Sequence, residues 1–390
     1  MSAESIVIVG AARTPLGSLQ GKLKTMSAPQ LGAIAIRAAV ERSGLESHVP
    51  DEVFMGCVLP AGLGQAPARQ AALAADLPQA VPCTTVNKVC GSGMKAAMLA
   101  HDAIIVGSAR VVVAGGMESM SNAPYLLKKA RGGYRLGHDT VYDHMFLDGL
   151  EDAYERGTLM GKFAEDTAET YQFTRESQDA FATESLMRAK RATESGAFAR
   201  EIVAVRVGHD AVEVDELPAR ADPAKIPHLK PAFREGGTVT AANSSGISDG
   251  AAALVLMDES EADRRNITPL ARIVGHATHA QAPALFTTAP VGAIEKLLER
   301  IGWNTGDPDL YEINEAFAVV TMAAMRDLHL PHEKVNVFGG ACALGHPIGA
   351  SGARIIVTLL NALAQHDMKR GIASLCIGGG EATAIAVERF

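Results

Sequence analysis

The chain repeats itself. Ala28-Pro29, Gly32-Ala33-Ile34, Glu41-Arg42 and Gly44 return far downstream as Ala289-Pro290, Gly292-Ala293-Ile294, Glu299-Arg300 and Gly302. Both segments carry apolar residues at helical spacing and end in a glycine suited to close a helix. A second correspondence follows in the same order. Gly91-Ser92-Gly93-Met94-Lys95 opens a helix ahead of the strand Arg110–Ser119, which contains Gly115-Gly116-Met117-Glu118. Ala350-Ser351-Gly352-Ala353-Arg354 opens another, ahead of Ile372–Ile377 and Gly378-Gly379-Gly380-Glu381. Each unit reads as loop, glycine turn, long apolar helix, buried strand, glycines and a glutamate. Two ordered matches indicate an internal duplication.

Duplication narrows the fold. Strands alternating with helices of this length make each half a layered α/β unit with a mainly parallel sheet and right-handed crossovers. The first strands are Ile6–Val9 and Leu270–Val274. Packed about a pseudo-twofold axis, the halves bring equivalent turns together, so residues distant in sequence can share one site. A chain of 390 residues exceeds a single simple core, and 38 glycines with only 5% aromatics suit many tight strand-to-helix turns. Residues 1–120 read as the N-terminal half, 121–250 as an inserted loop region that returns to that half near its end, and 251–390 as the C-terminal half. Within the insertion, Lys128–Asp139 reads as a projecting polar loop and Thr174–Ala197 as an amphipathic helix. Asp215–Arg234, with Pro218, Pro223, Pro227 and Pro231, reads as irregular.

Composition excludes several function classes. A formal net charge of −8 and a pI near 5.9 give no general attraction to nucleic acid or an anionic membrane surface. No apolar run is long enough to span a bilayer. The five cysteines (Cys57, Cys83, Cys90, Cys342 and Cys376) are odd in number, widely spaced and without a CxxC pair. That argues against a disulfide framework and a zinc site, and for a reducing compartment. Met1–Ser5 reads as neither signal nor transit peptide, so the expected location is the cytoplasm. The glycine runs do not complete GxGxxG, and there is no P-loop.

The chemistry lies in three glycine-rich settings. Cys90 stands where an apolar run breaks into Gly91-Ser92-Gly93 at a helix start, with amides around it and a helix N-terminus favouring a thiolate. It reads as a nucleophile. His346, between Gly345 and Pro347-Ile348-Gly349, is poorly placed for a core histidine and reads as a base or oxyanion donor. Cys376 follows a strand and precedes three glycines, a second thiol for a second proton or acyl task. Asn314, in Ile313-Asn314-Glu315-Ala316-Phe317, either serves the site or caps a helix. Cys57, Cys83 and Cys342 read as packing residues, and His48, His101 and His329 as surface residues. Acyl transfer through a cysteine is the leading chemistry.

At these residues the chain resembles the thiolases, in the branch that handles acetoacetyl-CoA. The likeness runs from Ile6 to the C-terminus through Val86–Lys95, Gly115–Ser121, Gly237–Ala251, Asn314–Phe317, Gly345–Arg354 and Cys376–Gly380. It implies the thiolase fold: duplicated βαβαβαββ halves in an α-β-α-β-α arrangement with an inserted loop domain. It further implies a homotetramer (a dimer of dimers), and acetyl-CoA, acetoacetyl-CoA and CoA as ligands, with no cofactor beyond coenzyme A and no metal. Cys90 would be acylated, His346 would accept its proton, and Cys376 would serve the α-carbon of the second acetyl-CoA. Asn314 would hold a water at the enolate oxygen, and the amides of Cys90 and Gly378 would hold the acyl-enzyme oxyanion. Leu150, Met160, Arg220, Phe233, Ala241, Ser245, Ala316 and Phe317 match substrate and CoA contacts. Arg220 and Lys225 are the candidates for the 3′-phosphate. The chain departs from the branch at Leu159, where many members carry histidine, and in a short 215–230 segment. The alternative is a broader-range 3-ketoacyl-CoA thiolase. A decarboxylating ketosynthase on this fold would have histidine in place of Cys376.

Overall fold

The computed structural model describes residues 5–390; Met1–Glu4 lie outside it, and with them most of the segment read as carrying no leader. A ten-stranded sheet runs through the molecule. Its seam is the antiparallel pairing of the two first strands, Ile6–Arg13 and Ala271–Ala280, at Val7 with Arg272 and Ile8 with Ala271. Outward from the seam on the N-terminal side come Ser248–Asp258, Val111–Ser119, Glu52–Gly56 and the edge strand Cys83–Val86. On the other side come Glu381–Glu388, Arg370–Ile377 and Leu310–Ile313. Numbered within each half, both sides run first, last, penultimate, second. The duplication is therefore topological as well as sequential.

Alternation along one strand explains the layers. Ile6 and Ile8 face the inner core, whereas Val7 and Val9 face the outer one. The helices Ala28–Arg42 and Pro67–Ala74 cover the outer face of the N-terminal sheet, and Ala289–Ile301 covers that of the C-terminal sheet. Between the sheets lie Ser92–Ile105 and Ser351–Gln365, the two helices that open at the duplicated glycine turns. Their starts press together. A Cβ on Gly93 would lie 2.8 Å from the Ala353 amide nitrogen, and one on Gly352 only 2.3 Å from that of Met94. Glycine is what allows these two N-termini to meet backbone to backbone. The five-layered thiolase architecture is present.

Several sequence expectations need correction. The sheet is mixed: Val111–Ser119 pairs in parallel with Glu52–Gly56, but both last strands and the seam pair antiparallel. Arg370–Ile377 and Glu381–Glu388 form a local hairpin across Gly378-Gly379-Gly380, whereas the partners of Ser248–Asp258 and the seam are strands far apart in sequence. Residues 251–258, read as the start of the C-terminal half, lie in the strand between Ile6–Arg13 and Val111–Ser119. The third strand of the C-terminal half is reduced to one bridge, Tyr311 to Val335.

Segment 215–234 is more ordered than its prolines imply. Glu216–Arg220 is a short helix and Pro223–His228 a 3-10 turn, with Pro218 and Pro223 in first turns where a missing N–H costs little. The helix Arg175–Glu194 buries polar Gln178, Asp179 and Ser185, which hydrogen-bond Thr238, Asn243 and Glu315. Its inner face is thus a polar joint and not a plain apolar stripe. Lys128–Asp139 is exposed throughout, as a projecting loop should be. Cys83 is half-buried at the sheet edge. His101 is half-buried as well, because His276 packs against it.

Candidate active site

The strand Cys83–Val86 ends at Asn87, and the chain turns through Val89 into the helix Ser92–Ile105. Val89 takes φ +46°, an outlier for a β-branched side chain, of the kind that stores roughly 1–3 kcal/mol and collects at functional turns. Local hydrogen bonds hold it there. The Val89 amide donates to Asn87 Oδ1 at 3.0 Å, and the Lys88 amide to Ser92 Oγ at 2.8 Å. The Ser92 hydroxyl donates to the Val89 carbonyl at 2.6 Å, and Lys88 pairs with Glu381 of the other half. Cys90 stands at the tip, partly exposed, packed against the small apolar cluster of Val58, Leu59, Met120, Met145 and Ile348. Burial pushes its thiol up to about 11, although the amides of Gly378 and of Cys90 itself are aimed at the sulfur and pull the other way.

The second turn presents an imidazole. Gly345 has φ +107°, and a Cβ there would lie 2.1 Å from Ser248 Oγ, so only glycine fits. The His346 amide donates to the Gly246 carbonyl at 2.8 Å. Its Nδ1 lies 2.5 Å from Ser351 Oγ, whose hydroxyl donates to the Pro347 carbonyl at 2.9 Å. The hydroxyl proton is committed to Pro347, so Nδ1–H is the donor and Nε2 keeps its lone pair. That Nε2 is buried and meets no protein partner. Burial, with the Arg354 charge adding, lowers the imidazole to about 3, so it is neutral at pH 7.

Asn314 lies at the end of the strand Leu310–Ile313, buried, and does not cap the next helix, whose N-cap is Phe317. Its Oδ1 accepts from Arg354 Nη2 at 3.4 Å, whereas its Nδ2 has no protein partner. Buried donors and acceptors are nearly always satisfied, so these two orphaned atoms, on residues that both feel Arg354, each call for a polar partner. Cys376 sits on Arg370–Ile377, buried among Phe163, Ala316 and Phe317. Burial first, and then the nearby Cys90 charge, push its thiol well above the usual range. The two thiols are thus close enough to feel one another.

A groove of about 680 Å³ leads inward, with Leu150, Met160, Arg220, Phe233, Ala241, Ser245 and Phe317 on its walls. Phe233 lies flat over Gly161, where a Cβ would meet the ring at 2.4 Å. Ala316 lies beneath the wall, its carbonyl accepting from the Ser245 amide at 3.0 Å. Arg220 is at the mouth, 65% exposed, held by Glu216 and by Ser18 Oγ, each at 3.0 Å. Lys225 faces a separate hollow of about 290 Å³ that Arg220 also borders. Leu159 lines the main groove beside Met160.

Two contributors escaped the sequence reading. Ser351 orients His346, and its equivalence to Ser92 in the repeat was the available signal. Glu118, fully buried, accepts from the amides of Val58 at 3.0 Å, Leu59 at 3.2 Å and Gly349 at 2.9 Å, tying together the loops behind the site. Burial pushes its carboxyl up to about 7 despite those amides.

The fold and this arrangement of two thiols, an imidazole and converging amides define a class. The thiolase N-terminal domain model matches residues 6–260 and the thiolase C-terminal domain model residues 267–389, so the chain belongs to the thiolase family. Among its relatives, "Acetyl-CoA acetyltransferase" of Escherichia coli (strain K12) is 52% identical over 393 residues, covering 99% of this chain and 100% of that protein. "Acetyl-CoA acetyltransferase 1" of Arabidopsis thaliana is 50% identical over 390 residues, covering 98% of this chain and 94% of that protein. Among solved structures, the Acat5 thiolase from Ascaris suum in complex with coenzyme A superposes with a TM-score of 0.95 at 43% identity, covering 99% of this chain and 100% of that one.

Proposed function

We propose that this chain is an acetyl-CoA C-acetyltransferase. It condenses two acetyl-CoA to acetoacetyl-CoA and CoA, reversibly, through an acetyl group carried on Cys90. The observations that carry the mechanism are the Cys90 and Gly378 amides aimed at the Cys90 sulfur and the buried Nε2 of His346, which meets no protein partner. Thiol and imidazole both rest neutral, so the proton moves only as the thioester is attacked.

In the first half-reaction Cys90 Sγ bonds to the acetyl carbonyl carbon and His346 Nε2 takes the thiol proton. The two amides hold the oxyanion, a contribution of roughly 2.7–4 kcal/mol per donor. The C–S bond to CoA breaks, and the CoA thiolate takes its proton from Cys376, leaving a Cys376 thiolate beside an imidazolium. In the second half-reaction that thiolate removes an α-proton from the second acetyl-CoA. The imidazolium and a water on Asn314 Nδ2 stabilise the enolate oxygen. The enolate carbon attacks acetyl-Cys90, and the expelled Cys90 sulfur takes back the His346 proton. All three groups return to their starting states.

The groove supports the CoA arm: an apolar wall from Leu150, Met160, Phe233, Ala241 and Phe317, with Ser245 near the thioester end and Arg220 at the mouth for the 3′-phosphate. No cofactor beyond coenzyme A is required. The assembly we expect is a homotetramer acting in the cytoplasm; among the described residues no helix is long and apolar enough to cross a membrane. A broader 3-ketoacyl-CoA range is the second reading, favoured by apolar Leu159 in the wall. The deciding experiment compares kcat/KM for acetoacetyl-CoA, 3-ketovaleryl-CoA and 3-ketohexanoyl-CoA. A preference for the shortest supports the acetyltransferase; a steady rise with length, toward about 0.8 kcal/mol per added methylene, favours the broader enzyme.

A further inference from the structure

Away from the groove, three metal-ligand side chains converge from the two halves of the fold. His101 and Asp102 stand on Ser92–Ile105, the helix that begins at the nucleophile's turn; His276 stands on Ala271–Ala280, the first strand of the C-terminal half. Asp102 Oδ1 is 2.9 Å from His276 Nε2 and 3.2 Å from His101 Nδ1. The three donor atoms all lie within 4.8 Å of one another. The two rings meet edge to face with centroids 4.9 Å apart.

We propose that His101, Asp102 and His276 form a site for a divalent transition-metal ion, zinc in the first instance, that clamps the nucleophile helix to the seam strand. Ligand bonds of about 2.0–2.2 Å in a tetrahedron place neighbouring donors roughly 3.3–3.6 Å apart, so the carboxylate oxygen, now 2.9 and 3.2 Å from the two ring nitrogens, has only a few tenths of an ångström to give. Only the two nitrogens must approach each other. Two imidazoles and one carboxylate suit zinc and its first-row neighbours better than magnesium or calcium, which prefer all-oxygen sets. The donor side chains are accessible: His101 is 18% exposed, His276 14% and Asp102 50%, which leaves the ion's remaining position to water. The strand side is anchored, since Arg300 Nη1 donates to the His276 carbonyl at 2.6 Å. The absence of a cysteine-based zinc pattern says nothing about this triad, because its ligands are the adjacent His101 and Asp102 and a second histidine, His276, that only the docking of the two halves brings to them.

The test uses full-length protein stripped with a chelator, with Cys90 alkylated so that the catalytic thiol cannot compete for metal. Zinc chloride is titrated by calorimetry and its effect on the melting temperature is followed; cobalt chloride then reports ligand type by absorption. We expect one zinc per chain, a zinc-dependent rise in melting temperature, and a cobalt spectrum without thiolate charge transfer. His276→Gln and Asp102→Asn should each weaken zinc binding at least about tenfold, a scale on which even outer-shell partners act. Asp102→Asn is the control against misfolding, since that side chain is half exposed and its metal-free melting can be matched to the parent. No zinc binding by the alkylated parent, or unchanged affinity in both variants, overturns the site and leaves a purely hydrogen-bonded triad.

Discussion

The two duplicated turns have kept one scaffold and diverged in what they present. Ser92 and Ser351 occupy the same position, the first residue of their helices, and each hydroxyl donates to a carbonyl just upstream, that of Val89 or Pro347. What each serine oxygen then faces is different. Ser92 accepts from the Lys88 amide and locks a strained backbone; Ser351 receives the imidazole of His346. One copy of the turn became a mount for a sulfur and the other a mount for an imidazole. The backbone did not need to be reinvented, since one side chain before each helix set the task.

This comparison can be broken in four places. The largest effect belongs to Cys90→Ser, which should take turnover to background, because a hydroxyl, far less acidic and less nucleophilic than a thiol, replaces the sulfur that carries the acetyl group. Peptide mapping after labelled acetyl-CoA should find the acetyl group on Cys90; label on Cys376 instead would reverse the roles of the two thiols. Next, Cys376→Ser should leave acylation of Cys90 largely intact while slowing carbon–carbon bond formation by roughly 10²–10⁴-fold. Equal losses in both half-reactions would show that the second thiol has no separate step.

Third come the serines themselves. Ser351→Ala should cost activity by roughly 5- to 150-fold, the equivalent of about 1–3 kcal/mol for an unpaired buried donor, by freeing His346 Nδ1. Ser92→Ala should appear chiefly as a lowered melting temperature. If the two variants behave alike, the divergence we describe is only geometric.

The effect that lies outside turnover is a pH dependence of stability. The ordinary value of the imidazole is 6.5 and that of His346 is about 3, so the unfolded chain takes a proton the folded one refuses. Its stabilising contribution is whole above 6.5 and is lost as pH falls toward 3. The stability difference between the parent and His346→Gln should shrink over that window in denaturant titrations. A difference that stays constant would mean that His346 is not held neutral.

Much of this was legible in the residues. The repeat revealed itself through Gly93 and Gly352, because close helix packing leaves no alternative to glycine, and Cys90 and His346 stood out by their glycine neighbours. The groove positions from Leu150 to Phe317 came only through the family likeness, since apolar wall residues look like any others. Glu118 was hidden because its partners are backbone amides, which carry no residue identity. The pairing of His101 with His276 was hidden for another reason: it depends on how the halves dock, and the adjacent His101-Asp102 pair by itself does not point to a histidine 174 residues beyond Asp102. The antiparallel place of Ser248–Asp258 was hidden because its partners precede it by at least the length of the insertion, whereas the hairpin of Arg370–Ile377 with Glu381–Glu388 is local and could have been read from Gly378-Gly379-Gly380.

That strand has a consequence for how the chain is made. Ser248–Asp258 fills the gap between Ile6–Arg13 and Val111–Ser119, yet it leaves the ribosome about 130 residues after the second of them, on the order of ten seconds later. Until then the nascent N-terminal half displays the inner edge of Val111–Ser119, both edges of Ile6–Arg13 and an open apolar face. During that interval the inserted region emerges first, so a chaperone has longest to act on this chain before its central strand arrives.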